Sequence, residues 1–130
     1  MEPNEVVPLY LNSLAADVIG AAIEVHRTLG RGFLEAIYEA ALAEELRGRA
    51  ISFDRQVAIP IFYRGVIIGE HRLDLLVGGE LVVELKATAR NSDVHLAQTL
   101  SYMKAGAVRL GLILNFDADL MKNGIRRVAL

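Results

Sequence analysis

Apolar residues recur at three- and four-residue intervals over residues 13–29: Leu14, Val18, Ala21, Ala22, Val25 and Leu29. That spacing predicts a helix, with Ser13 as a cap and Gly30 as a stop. On its wheel Asp17, Gly20, Glu24, Arg27 and Thr28 fill only a narrow arc, so the apolar arc is wider than one core contact needs. Gly30-Arg31-Gly32 breaks the pattern, and a second helix runs from about Phe33 to Arg47, ending at Gly48. The period then changes to two. Residues 55–63, 66–77 and 81–86 read as strands, turning at Arg64-Gly65 and Gly78-Gly79. Residues 93–104 return to helical spacing with Ser92 or Asp93 as cap. Residues 108–115 form a strongly apolar strand and residues 125–130 a short last one. The order ααβββαββ predicts an α+β (mixed α/β) fold, a central mixed sheet flanked by helices rather than a regular βα repeat.

Three charged groups lie inside the two strands that meet at Gly78-Gly79. Asp74 stands among leucines, and Glu84 and Lys86 close the run Leu81-Val82-Val83-Glu84-Leu85-Lys86. A charge inside a strand pattern is costly unless it is paired or metal-bound. An Asp, then a Glu and a Lys two apart on one strand face, is what a divalent-metal phosphodiesterase requires. Glu84 and Lys86 share a face with Val82, while Leu81, Val83 and Leu85 face the other way. Asp74 joins them under one loop parity only. A two-residue turn pairs Asp74 with Val83 and leaves Glu84 on the opposite face, whereas a three-residue loop or a bulge brings Asp74 to the Glu84 face. The plain alternative is a solvated face with Glu84–Lys86 or Arg72–Asp74 surface pairs, and spacing does not choose between them.

The helices add fewer signals. Glu35 falls on the arc of Tyr38, Leu42 and Leu46, where a carboxylate either snorkels, serves the helix dipole or works inside. Glu39, Glu44 and Glu45 read as solvated charges. His95, Gln98 and Tyr102 line one stripe of the third helix, and Leu96, Leu100 and Met103 line a core stripe. His26 reads as a hydrogen-bonded core histidine. No zinc spacing, phosphate-cradling glycine loop or serine elbow is present. Hard oxygen ligands suit Mg²⁺ or Mn²⁺.

Composition narrows the classes. The 130 residues suit one domain spanning 1–130, with 1–12 as an N-terminal extension, and 53% hydrophobic content with mean hydropathy +0.34 argues against disorder. No apolar run approaches the about 18–20 residues of a membrane span. The acidic start and the absence of cysteine fit a cytoplasmic protein without disulfides. The net charge of −2 means that nucleic acid would have to be met by a local basic patch or through metal ions. Arg27, Arg31, Arg72, Arg90, Lys104, Arg126 and Arg127 are the candidates for phosphate contact.

The run Gly32-Phe33-Leu34-Glu35-Ala36-Ile37-Tyr38 resembles the GxxExxY signature of small bacterial and archaeal proteins placed in the PD-(D/E)XK nuclease superfamily. The similarity continues through Val25–Gly30, Arg72-Leu73-Asp74, Val83-Glu84-Leu85-Lys86, His95-x-x-Gln98-x-x-x-Tyr102, Asn115-Phe116 and Lys122-x-Gly124-Ile125-x-Arg127, about residues 14–128. The resemblance implies a restriction-endonuclease-like core in which Glu35, Asp74, Glu84 and Lys86 converge. Asp74, Glu84 and the Leu85 carbonyl would then hold Mg²⁺ or Mn²⁺, Glu35 would complete a weaker position, and Gln98 and Tyr102 would orient water or phosphate. The implied function is metal-dependent hydrolysis of DNA or RNA by an activated water. A binding or assembly module that keeps the fold without turnover, and an enzyme on another phosphate ester, are the competing classes. The wide apolar arc of the first helix suggests a two-fold homodimer, unless residues 1–12 fold back over it.

Overall fold

The computed structural model describes residues 7–89 and 93–130. Residues 1–6 of the expected extension, Arg90 and the Ser92 cap lie outside the described residues. The element order is α1 (Leu9–Leu29), α2 (Glu35–Gly48), β1 (Phe53–Tyr63), β2 (Val66–Val77), β3 (Leu81–Lys86), α3 (Asp93–Ala105), β4 (Leu110–Asn115), a 3-10 turn (Met121–Asn123) and β5 (Ile125–Ala129). Among the described residues the expected ααβββαββ order is present, with a 3-10 turn added.

α1 begins four residues before Ser13. Pro8 precedes it at φ −54°, a backbone angle already suited to a helix start. Leu11, one turn before Ala15, extends the buried stripe of Ala15, Val18, Ala21, Ala22 and Val25. Gly30 ends the helix by donating its N–H to the His26 carbonyl at 2.8 Å. Much of the wide apolar arc is covered within the chain, while Ile23 stays 43% exposed. One side packs on the sheet through Val83, Leu85, Leu112 and Leu114, and the other on Tyr38, Leu42 and Leu46 of α2.

The five strands lie in sequence order, β1-β2-β3-β4-β5. β3 and β4 are parallel and every other pair is antiparallel, so the sheet is mixed. Parallel neighbours need a crossover, and α3 supplies it. α1 and α2 cover one face through the larger apolar cluster, while α3 covers the other with Leu73, Val82, Met103, Val108, Ile113 and Val128. Buried on both faces, β4 reads as the continuous apolar run Leu110–Asn115 and all six residues are buried. This three-layer arrangement is that of a restriction-endonuclease-like fold. Among the described residues no helix is long and apolar enough to cross a membrane.

Candidate active site

The loop between β2 and β3 decides the site. Val77 pairs with Leu81, Leu76 with Val82 and Leu75 with Val83, so the loop holds three residues, Gly78-Gly79-Glu80. Gly78 and Gly79 both take positive φ, 59° and 71°, which glycine adopts without strain, and Glu80 closes the turn by donating its N–H to Val77 at 3.1 Å. Ladder pairing ends at Leu75↔Val83, and one residue beyond it the Asp74 and Glu84 side chains meet, as residues across an antiparallel pair that share a face do. Asp74, Glu84 and Lys86 thus lie on the α3 side. Asp74 is fixed there by the Leu85 N–H, which donates to its Oδ2 at 2.8 Å. Arg72 pairs with Glu70 instead of Asp74.

β2 does not alternate regularly below Asp74. Leu75 and Val77 belong to the α1/α2 cluster, yet Leu73 belongs to the α3 cluster. The break lies opposite Gln56, which takes a φ of 51° and drops out of the pairing between Arg55↔Leu75 and Val57↔Leu73. It turns His71 to the site as well. The His71 ring stacks on Tyr102 of α3, with centroids 3.3 Å apart and planes 8° apart. Its Nε2 lies 3.7 Å from Glu84 Oε1. His71 went unseen in the sequence because, three residues from Asp74, it has the wrong parity in a regular strand.

Glu84 is 5% exposed. Burial first, and then the charge of Asp74, push its carboxyl up to about 8, against the opposing pull of Lys86. Burial lowers the pKa of His71. Glu84 Oε1 and His71 Nε2 are buried without a hydrogen-bond partner among the described residues. An orphaned carboxylate oxygen beside a second carboxylate is an arrangement that a cation satisfies. Two carboxylates suffice for Mg²⁺, which is commonly held by one or two together with substrate phosphate. No group of three His, Asp or Glu side chains close enough to share an ion occurs among the described residues.

The remaining expected residues fall into two sets. Tyr102 is half-buried over His71, Gln98 is exposed one turn earlier on the same stripe, and His95 is half-buried in the first turn of α3. Glu35 is exposed in the first turn of α2 and is not gathered with Asp74 and Glu84 into a three-group cluster. Tyr38, three residues on, is structural. Its hydroxyl donates to the Gly30 carbonyl at 2.5 Å and accepts the Phe33 N–H at 3.2 Å, and its ring stacks on Phe116 at 4.5 Å. His26 is a buried histidine with Nε2 2.8 Å from the Ala118 carbonyl oxygen, as the sequence suggests.

Glu39 corrects the sequence reading, because it is buried and not solvated. It accepts from Arg55 Nε at 3.0 Å and from Gln56 Nε2 at 2.7 Å, tying α2 to the irregular point of β1 that faces Asp74. The signal was available, since Glu39 stands three and seven residues before the core positions Leu42 and Leu46.

Residues 12–128 match the family model of the PD-(D/E)XK nuclease superfamily. No match was found among curated proteins or among solved structures. The superfamily is one of nucleases that generally use divalent metals. With the match running from α1 to β5, through the strands that set Asp74 against Glu84, the protein belongs to the PD-(D/E)XK nuclease superfamily.

Proposed function

We propose that this chain, on the GxxExxY pattern of Gly32, Glu35 and Tyr38, is a Mg²⁺- or Mn²⁺-dependent phosphodiesterase acting on DNA or RNA. The observation that carries this reading is the Asp74–Glu84 pair, with a buried orphan oxygen on Glu84 and Lys86 two residues on. Asp74, Glu84 and the Leu85 carbonyl would hold the ion. A divalent cation there supplies Lewis acidity to the phosphoryl oxygens and acidity to an attacking water.

The chain's own groups do the positioning. The Leu85 N–H holds the Asp74 carboxylate against Glu84, so both carboxylates are set before substrate arrives. Lys86, on the same face, places an ammonium where charge grows on the phosphate in the transition state. Tyr102 and Gln98 offer a hydroxyl and an amide from α3 to orient water or a phosphate oxygen. The buried apolar neighbours of Glu84 exclude bulk water and strengthen each of these charges. Glu35 acts from the edge, through water.

Cleavage assays with Mg²⁺ and Mn²⁺ on single-stranded, duplex and branched DNA and on RNA test the reading. Metal-dependent cleavage of at least one substrate, lost in Lys86→Ala and Glu84→Gln, is expected. Metal-dependent binding with no turnover on any substrate would replace the enzyme with a binding module on the same fold. Cleavage that survives both substitutions would remove the site.

A further inference from the structure

The same face carries a second cationic feature beyond the carboxylate pair. Six arginines are committed to carboxylates on their own or a neighbouring element: Arg27, Arg31, Arg47, Arg49, Arg55 and Arg72. Lys86 and Arg126 differ. Neither side chain has a hydrogen bond or ion pair among the described residues, and both line one cleft with His95, Asn115 and Asn123. No carboxylate among the described residues lines it, although the chain holds 16 Asp and Glu. It is a local positive cleft on a chain of net charge −2.

Register ties the cleft to the site. Glu84 pairs with Ile113, and Ile113 pairs with Arg126, so one rung runs from Glu84 to Arg126. Arg126 is two strand spacings from Glu84, roughly 10 Å. Lys86, paired with Asn115, lies two residues along β3 from Glu84, and its side chain lines the cleft with Arg126. The cleft floor is rigid. Asn115 takes the Asp117 N–H on Oδ1 at 3.0 Å, donates from Nδ2 to Thr88 at 2.9 Å and gives its backbone N–H to Gly124 at 2.8 Å. A Cβ on Gly124 would collide with the Asn115 carbonyl oxygen, so only glycine allows this approach.

We propose that the cleft is a phosphate subsite, in which Arg126, with His95 at its α3 edge, receives a backbone phosphate of the nucleic-acid strand next to the one held at Asp74, Glu84 and Lys86. The subsite rests on the nuclease reading above. The guanidinium offers two parallel N–H donors to a phosphate, and an unpaired one spends nothing on breaking an existing ion pair. A fixed floor keeps the two phosphates at a set separation, so the cleft positions the strand and reads no base.

Anisotropy of a labelled oligonucleotide, with Ca²⁺ in place of Mg²⁺ and at several salt concentrations, tests this on the full chain. Arg126→Ala should weaken binding on the order of tenfold and lower the slope of log affinity against log salt by about 1. Arg126→Lys should recover part of the affinity, and Lys104→Ala, which removes an equal charge from the surface of α3, should change little. Because Arg126 is exposed, the melting temperature of these variants should match wild type. Equal losses for Arg126→Ala and Lys104→Ala, or wild-type affinity in Arg126→Ala, overturn the subsite alone. Failure of the wild-type chain to bind any oligonucleotide overturns the nuclease reading and the subsite together.

Discussion

The two faces of β3 differ in what their side chains do. Leu81, Val83 and Leu85 enter the α1/α2 cluster, where the buried polar groups come from the helices and are satisfied: His26 by the Ala118 carbonyl, Glu39 by Arg55 and Gln56. Val82, Glu84 and Lys86, one residue out of step, enter the α3 side, where a smaller apolar cluster surrounds two carboxylates, an imidazole and an ammonium. One face holds the chain folded and the other holds charge in place. The difference comes from the period-two geometry of a strand alone, because neighbours in sequence point to opposite solvents.

The largest expected effect separates adjacent residues. Glu84→Gln should lower metal-dependent cleavage by about a thousandfold or more, since several kcal/mol of transition-state stabilisation depend on the ion, and it should leave the fold intact. Leu85→Ala should cost about 2–5 kcal/mol of stability. Parallel melting and cleavage measurements on both variants check this. Equal destabilisation by the two would mean that Glu84 is a structural buried charge and the faces are not divided.

Glu84 also makes the α3 face sensitive to pH. Its carboxyl is raised from an ordinary 4.5 to about 8, so the folded chain keeps a proton there that the unfolded chain has released. Where the folded state binds more protons, stability falls as pH rises. His71 works the other way, because its lowered pKa makes folding release a proton and adds stability as pH rises to its ordinary 6.5. The metal-free chain should therefore lose stability most clearly between pH 6.5 and 8, where the raised Glu84 carboxyl acts without the opposing shift of His71. Denaturant midpoints across that range should fall in wild type and stay flat in Glu84→Gln. A wild-type midpoint that does not fall would place Glu84 in water.

A smaller effect comes from the ion itself. At pH 8, Mg²⁺ or Mn²⁺ at ten to a hundred times its dissociation constant should add about 1–3 kcal/mol by mass action. Thermal melts should show this gain in wild type and not in Asp74→Asn. The same gain in both would move the ion away from the carboxylate pair.

The first face was almost wholly legible in the sequence. The spacing of Val18, Ala22 and Val25 and the apolar runs of β3 and β4 name their own partners, because burial repeats with the helix or strand period. On the second face Glu84 and Lys86 were legible as charges in an apolar run. The place of Asp74 depended on loop length, which Gly78-Gly79-Glu80 settles only in three dimensions. His71 was not legible at all, since it reaches the site through a break in alternation created by the left-handed Gln56 on another strand. The burial of Glu39 was legible in its spacing to Leu42 and Leu46, but its partners, Arg55 and Gln56, lie at that same irregular point. Regular geometry propagates along a sequence, and a single unusual dihedral does not announce itself there.

Glu35 gives the smallest and sharpest contrast, because it sits on the helix of the structural face while the resemblance assigns it to the site. As an exposed carboxylate in the first turn of α2 it favours the helix dipole, which is worth about 0.3–1 kcal/mol. Glu35→Gln should therefore change the melting temperature little. If it meets the ion only through water, its loss should lower turnover about tenfold, the lower end for an outer-shell partner, and raise the Mn²⁺ concentration for half-maximal activity. Wild-type turnover and metal dependence in Glu35→Gln would confine it to capping the helix. A loss as deep as that of Asp74→Asn would require the start of α2 to swing toward the carboxylate pair when ion or substrate binds, and the two faces would then act as one site.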